Sequence, residues 1–187
     1  MHTGSIAALL PPGADAVASI ISNARSHALI TYDPNIRPAL LPNHASAVSG
    51  VERMVSLADV VKTSDEDLHW LYPGSPPRSI AREWQRLCAG LVIVTEGASG
   101  AYAVGATFEV GTPGVNVSVA DTVGAGDSFM GAVICEMRDQ RLWGADRREA
   151  LRRLDVDRVR RMLRLGVEVA AVTVSRAGAN PPTRAEI

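Results

Sequence analysis

The 187-residue chain predicts an α/β fold, a largely parallel sheet covered by helices on both faces. Three observations carry this expectation. Short apolar strand-like runs alternate with amphipathic helical stretches, the pattern of strands joined by helical crossovers. Polar or glycine-rich segments follow Tyr32, Lys62, Val94 and Val119, where such sheets bind ligands beyond their strands' carboxyl ends. The composition, 47% hydrophobic and 21% charged, suits one globular domain with a substantial core.

Taken in order, Ala14–Ala28 has helical amphipathicity, and Leu29–Tyr32 is a short β run. Asp33-Pro34-Asn35-Ile36-Arg37 follows as a loop, because Pro34 and Pro38 exclude helix. Ala45–Leu57 is helical and Asp59–Lys62 is a strand. Ser64 is a helix N-cap, with Asp65, Glu66 and Asp67 in the first turn. Pro73–Pro77 links to a helix ending near Leu87, Leu91–Val94 is a buried strand, and Glu96–Gly100 is a turn. Ala101–Val104, Phe108–Val110 and Val115–Val119 read as antiparallel strands. A helix spans about Ala125 to Arg138, and Val156, Val159, Met162, Leu163, Gly166, Val167 and Ala170 form the apolar stripe of a final one.

Several function classes are disfavoured. The net charge of −1 gives no general attraction to nucleic acid or anionic membranes. No apolar run reaches the length of a membrane span, and no secretory signal pattern opens the chain. Cys88 and Cys135 lie far apart, which suits reduced structural thiols in a cytoplasmic protein. The arginines at 147, 148, 152, 153, 158, 160, 161 and 164 are interleaved with acids and read as a solvated helix face. Lys62 is the single lysine among 19 basic residues.

The chemistry concentrates in Ala120-Asp121-Thr122-Val123-Gly124-Ala125-Gly126-Asp127-Ser128. Gly124, Ala125 and Gly126 lack bulk, so an anion can approach main-chain N–H groups at the helix start. A carboxylate at Asp127 beside an anion hole makes sense as a base to a hydroxyl attacking phosphorus, which points to phosphoryl transfer. No Lys-Ser/Thr pair follows, as a Walker loop requires, and Phe129 stands where a dinucleotide fingerprint needs its third glycine.

Asp121–Phe129 resembles the C-terminal signature of the PfkB, or ribokinase-like, family of carbohydrate kinases. Asp33-Pro34-Asn35-Ile36-Arg37 resembles the Asp-x-Asn-x-Arg segment of its fructokinase and ketodeoxygluconate-kinase members. His2–Ser5, Val61–Ser64, Val94–Gly100 and Val174–Ala179 fall in family order, so the resemblance covers essentially the whole chain. It implies a ribokinase-like three-layer sandwich and ATP-dependent phosphorylation of a sugar hydroxyl. By position, Asp127 is the implied base, touching substrate, and Gly124, Ala125 and Gly126 are the implied anion hole. Thr95, Glu96, Gly97, Ala98, Ser99 and Gly100 match the nucleotide-binding turn, with Gly126, Asn35 and Lys62 also on the nucleotide. Arg37 matches a residue at the substrate end of the cleft, where a guanidinium leaves a sugar acid open. Asp121 and the carbonyls of Val123, Thr173, Arg176 and Gly178 match a monovalent-cation site, so K⁺ joins ATP and Mg²⁺ among the implied cofactors.

Two positions depart from the family. Asp67 stands one methylene short of the glutamate in the Asn-x-x-Glu motif tied to magnesium, and Val167 replaces an asparagine some relatives place near adenine. The family's early strands, sugar lid and most sugar contacts have no counterpart here, so weak or absent turnover is expected of this chain alone. The expected partner is a small sugar or sugar acid, with no nucleic acid, no membrane, and a homodimer for a full-length protein. Alternatives are a non-catalytic nucleotide- or partner-binding fragment, or a kinase of ketodeoxygluconate or a nucleoside.

Overall fold

The computed structural model describes residues 1–41, 43–88 and 90–187. Six strands form one sheet in chain order. β1 (His2–Gly4), β2 (Thr31–Asp33), β3 (Val60–Ser64) and β4 (Leu91–Thr95) run parallel, and β5 (Gly100–Val104) and β6 (Glu109–Pro113) extend them antiparallel. β1 is absent from the sequence expectation, because three residues display no readable period.

The helices divide between the faces by chain order. α1 (Gly13–Ala24), α2 (His44–Leu57), α3 (Asp65–Leu71) and α4 (Pro77–Leu87) cover one face, against Ile30, Tyr32, Val61, Val92, Val94 and Tyr102. α5 (Ala125–Asp139), α6 (Arg148–Arg152) and α7 (Val156–Val174) cover the other, against Val60, Leu91, Ile93, Ala101 and Ala103. Both sets come from the same strands because successive strand residues point to opposite faces. Met130, Val133, Met162 and Leu163 are all but fully buried between α5, α7 and the sheet. Each such burial contributes about 1.5–3 kcal/mol relative to exposure, which fixes the start of α5 over the sheet.

Three local expectations change and a fourth holds. α1 ends at Ala24 rather than Ala28, and Ala28 pairs instead with Gly144 across an isolated bridge. Val115–Val119 forms no strand: Val115 and Val119 are exposed, and the alternation finds no partner strand among the described residues. The arginine-rich segment is not uniformly a solvated face. Arg148 is bound to the buried Asp59, and Arg158 is clasped to Gln140. Ser64 does cap α3, and it does so in a closed box: its hydroxyl accepts from the Asp67 N–H at 3.0 Å, while Asp67 Oδ2 accepts from the Ser64 N–H at 3.2 Å.

Candidate active site

The glycine loop forms the N-terminus of α5. Gly124 is the N-cap in the left-handed region, φ 81°, where a side chain would be strained. Gly126 and Asp127 occupy the first turn, whose N–H groups have no acceptor within the helix, so they face outward as donors. Asp121 ties this loop to the segment after α7. Its carboxylate accepts from the Val123 and Gly178 N–H groups, each at 3.0 Å, and these bonds hold it below the usual carboxylate range. The Thr173 hydroxyl adds a 2.9 Å bond to Ser128 Oγ from α7.

Beneath the loop lies a buried ion pair. Lys62 Nζ donates to Asp33 Oδ2 at 3.0 Å, with Lys62 4% and Asp33 3% exposed. Burial pushes the Asp33 carboxyl up from its ordinary range, with the Lys62 charge and hydrogen bond opposing that shift. Asp33 Oδ1 is buried without a partner among the described residues.

Asp33 also lines a pocket of about 210 Å³, together with His2, Gly4, Ser5, Asn35 and Asp127. Two of its wall residues hold a backbone geometry that non-glycine residues rarely adopt, Ser5 at φ 57° and Asn35 at φ 42°. Such strain concentrates at ligand sites. His2 Nδ1 lies 2.9 Å from Thr31 Oγ1, and burial lowers the imidazole's proton affinity. Asp127 is exposed at the pocket, with no hydrogen bond or ion pair engaging its carboxylate among the described residues.

The structure therefore brings Gly126, Asp127, Asn35 and Lys62 to one place, at the carboxyl ends of β1, β2 and β3. Arg37 does not join them. It is exposed, and its guanidinium folds back to donate to Asn35 Oδ1 at 2.6 Å and the Ile36 carbonyl at 3.0 Å. Thr95–Gly100 forms the β4–β5 turn, closed by the Glu96 N–H on the Gly100 carbonyl at 2.8 Å and the Ser99 N–H on the Glu96 carbonyl at 3.0 Å. That turn lies beyond the carboxyl end of the neighbouring strand and is not part of the 210 Å³ pocket wall. Sequence reasoning about the site passed over Asp33, His2, Gly4 and Ser5. The available signal for Asp33 was an acid closing an apolar strand whose own neighbour strand carries the chain's single lysine.

The metal positions are more constrained. Both Asp67 oxygens are already engaged: Oδ1 accepts from the Ile36 N–H at 3.0 Å, and Oδ2 serves the capping box. Among the described residues no three His, Cys, Asp or Glu side chains converge as a metal site. The Asp121 carboxylate is likewise committed to two amides. The Thr173 carbonyl accepts from the Arg176 N–H at 3.2 Å and that of Gly178 from the Asn180 N–H at 2.9 Å. Each carbonyl retains a second lone pair.

With this geometry in place, comparison with known proteins gives a family. The description "pfkB family carbohydrate kinase" matches residues 2–186. The chain belongs to the PfkB family. It is 33% identical over 138 residues to a fructokinase of Rhizobium leguminosarum bv. trifolii, covering 74% of this chain and 42% of that protein. It is 33% identical over 192 residues to the probable fructokinase-4 of Arabidopsis thaliana, covering 100% and 56%. A crystal structure of a fructokinase with bound ATP from Xylella fastidiosa superposes with a TM-score of 0.81 at 27% identity, covering 95% of this chain and 56% of that one. This PfkB chain thus spans about half the length of the curated relatives it matches. No helix among the described residues is long and apolar enough to cross a membrane.

Proposed function

We propose that the chain is the nucleotide and base half of an ATP-dependent, fructokinase-like sugar kinase. The observation that carries this reading is Asp127: a carboxylate without a partner among the described residues, at the first turn of α5, facing a polar pocket and flanked by outward-facing amides. In the reaction a sugar hydroxyl oxygen bonds to the γ-phosphorus of ATP, the bond to the bridging oxygen breaks, and ADP leaves. Asp127 orients the hydroxyl and takes its proton. The N–H groups of Gly126 and Asp127, together with the α5 dipole, stabilise charge on the transferring group. A loose transition state asks little of a base until late, so a carboxylate suffices at this position.

The turn Thr95–Gly100 suits the nucleotide, and Asn35 and Lys62 suit its phosphates. Magnesium would accompany the nucleotide, since a cation of this kind is commonly held through substrate phosphates and one or two carboxylates, and Asp67 is occupied. The carbonyls of Val123, Thr173, Arg176 and Gly178 beside Asp121 suit a potassium ion. Arg37 is held on Asn35, which favours a neutral ketohexose over a sugar acid as acceptor. Asp127 stands open to water, so phosphoryl transfer by these 187 residues alone is slow. A homodimer and a cytoplasmic setting complete the proposal for the full-length protein.

The test is a coupled ADP-release assay with fructose and Mg-ATP on the full-length protein. Asp127→Asn is expected to lower kcat by about 10²–10⁴-fold with ATP binding retained. Undiminished turnover in Asp127→Asn would remove the assigned base.

A further inference from the structure

Lys62 and Asp33 are adjacent by construction. β2 and β3 pair in register Thr31↔Val60 and Tyr32↔Val61, so the next residues, Asp33 and Lys62, stand side by side. Their side chains share the face covered by α5, because Val60, two residues before Lys62, belongs to that core. The ammonium reaches the first turn of α5: a Cβ built on Gly126 would lie 2.8 Å from Lys62 Nζ. Gly126 is therefore required for close approach as well as for access by an anion.

A cation at this position is electrostatically misplaced on its own. The N-terminus of a helix is its positive end and favours anions. A lone buried ammonium there would shed its proton. The acids that act on its partner Asp33 are Asp127 on α5 and Asp67 at the start of α3, and His2 on β1 and Tyr32 on β2 feel the Asp33 charge in turn. Among the described residues only Asp33 is hydrogen-bonded to Lys62. An ammonium has three N–H donors, so two remain for another acceptor. Asp33 Oδ1 also has no partner among the described residues, and Asp33 lines the pocket.

We propose that Asp33 is a positioning residue for Lys62: it keeps the ammonium charged and aimed at the first turn of α5, so that two N–H donors and the Gly126 amide together grip phosphate oxygens of a nucleoside triphosphate. The proposal rests on the phosphoryl-transfer reading for the identity of the anion. Asp33 itself touches neither the phosphorus nor the transferred oxygen, and it acts through Lys62. A phosphate that arrives supplies the anion this corner lacks, and the partner charge on Asp33 prevents the lysine from neutralising beforehand.

Because Lys62 is the only lysine, ¹³Cε,¹⁵Nζ-lysine labelling of the 187-residue chain gives a single side-chain signal. In the unsubstituted chain Mg-ATP is expected to shift that signal and adenosine to leave it in place. In Asp33→Asn the signal is expected to titrate at least about one pH unit lower. Mg-ATP affinity in that variant falls at least about tenfold between pH 6 and pH 9, while adenosine affinity holds. Lys62→Met should remove this added pH dependence when combined with Asp33→Asn. Gly126→Ala, which pushes the ammonium away from α5, serves if Asp33→Asn fails to fold; there the response of the lysine signal to Mg-ATP should shrink. An unchanged Lys62 titration in folded Asp33→Asn, or an undiminished Mg-ATP response in Gly126→Ala, overturns the proposal. If Asp33→Asn shifts the titration but Mg-ATP moves no signal of the unsubstituted chain, the tether stands and the phosphate reading fails.

Discussion

Two ion pairs, each built on a buried aspartate, sit at opposite ends of the same neighbouring strands, and they differ in how completely their hydrogen-bonding capacity is used. At the amino end, Asp59 is 0% exposed and fully engaged. Its oxygens accept from Arg148 Nε at 2.6 Å, from Arg148 Nη2 at 3.2 Å and from the Ile30 N–H at 2.7 Å. Arg148 Nη2 also donates to the carbonyls of Arg25 and Ala28, binding the end of α1 to the segment before β2. At the carboxyl end, among the described residues, Asp33 keeps one oxygen without a partner and Lys62 keeps two donors in reserve. A closed pair of this kind is a clasp. An open one, beside Asp127, which has no partner among the described residues, and a pair of strained loop residues, is a site awaiting a ligand. A buried aspartate and an opposite charge are common to both, so neither property alone locates function.

The sharpest way to break the comparison is to attack the clasp. Arg148→Met leaves the fully buried Asp59 carboxylate without its cation, and unfolding free energy is expected to fall by about 3–5 kcal/mol. Urea denaturation measures this, and nucleotide affinity per folded molecule should stay unchanged. A stable Arg148→Met with impaired nucleotide binding would reverse the assignment of the two ends.

Lys62→Met should have a smaller effect that depends on pH. Burial already raises the Asp33 carboxyl above its ordinary value of 3.8 in the folded protein. A group whose folded value is raised contributes stability at low pH, and that contribution is lost as pH rises through the folded value. Removing Lys62 deletes the interaction that opposes the rise. Stability of Lys62→Met should therefore decline more steeply than that of the unsubstituted chain as pH climbs from 3.8, and Asp33→Asn/Lys62→Met should not show that decline. Denaturant midpoints across pH give the comparison, and parallel profiles would mean that Asp33 and Lys62 do not interact in solution.

The smallest effect is expected at Asp121, which is half-buried and holds its place through two amides. Here the sign is opposite: the folded value is depressed below 3.8, so its contribution is present above that pH and lost as pH falls through the lower folded value. The stability difference between the unsubstituted chain and Asp121→Asn should shrink in that acid range. A difference that persists at lower pH would mean the Val123 and Gly178 amide bonds are not what Asp121 supplies.

The layers, five of the six strands and the glycine loop were legible because they rest on local patterns. Period-two and period-3.6 apolar spacing fix the strands and helices, and the run from Gly124 to Asp127 declares itself at a helix start. What was not legible depends on partners distant in sequence. Val115–Val119 alternates like a strand, yet it has no partner strand among the described residues. Arg148 reads as one surface arginine among eight until Asp59, 89 residues earlier, is seen beneath it. Asp33 and Lys62 were each quoted in their own segments, but only the β2–β3 register makes them a pair. The pocket wall at His2, Gly4 and Ser5 depends likewise on β1 lying beside β2.

The most direct test of the contrast between the two ends is a ¹H–¹⁵N amide map of the 187-residue chain titrated with Mg-ATP. The predicted result is that shifts concentrate at Gly124–Asp127, Thr95–Gly100 and the Asn35 loop, with Ile30, Asp59 and Arg148 unmoved. Shifts centred on Asp59 and Arg148, with the first turn of α5 silent, would contradict the account.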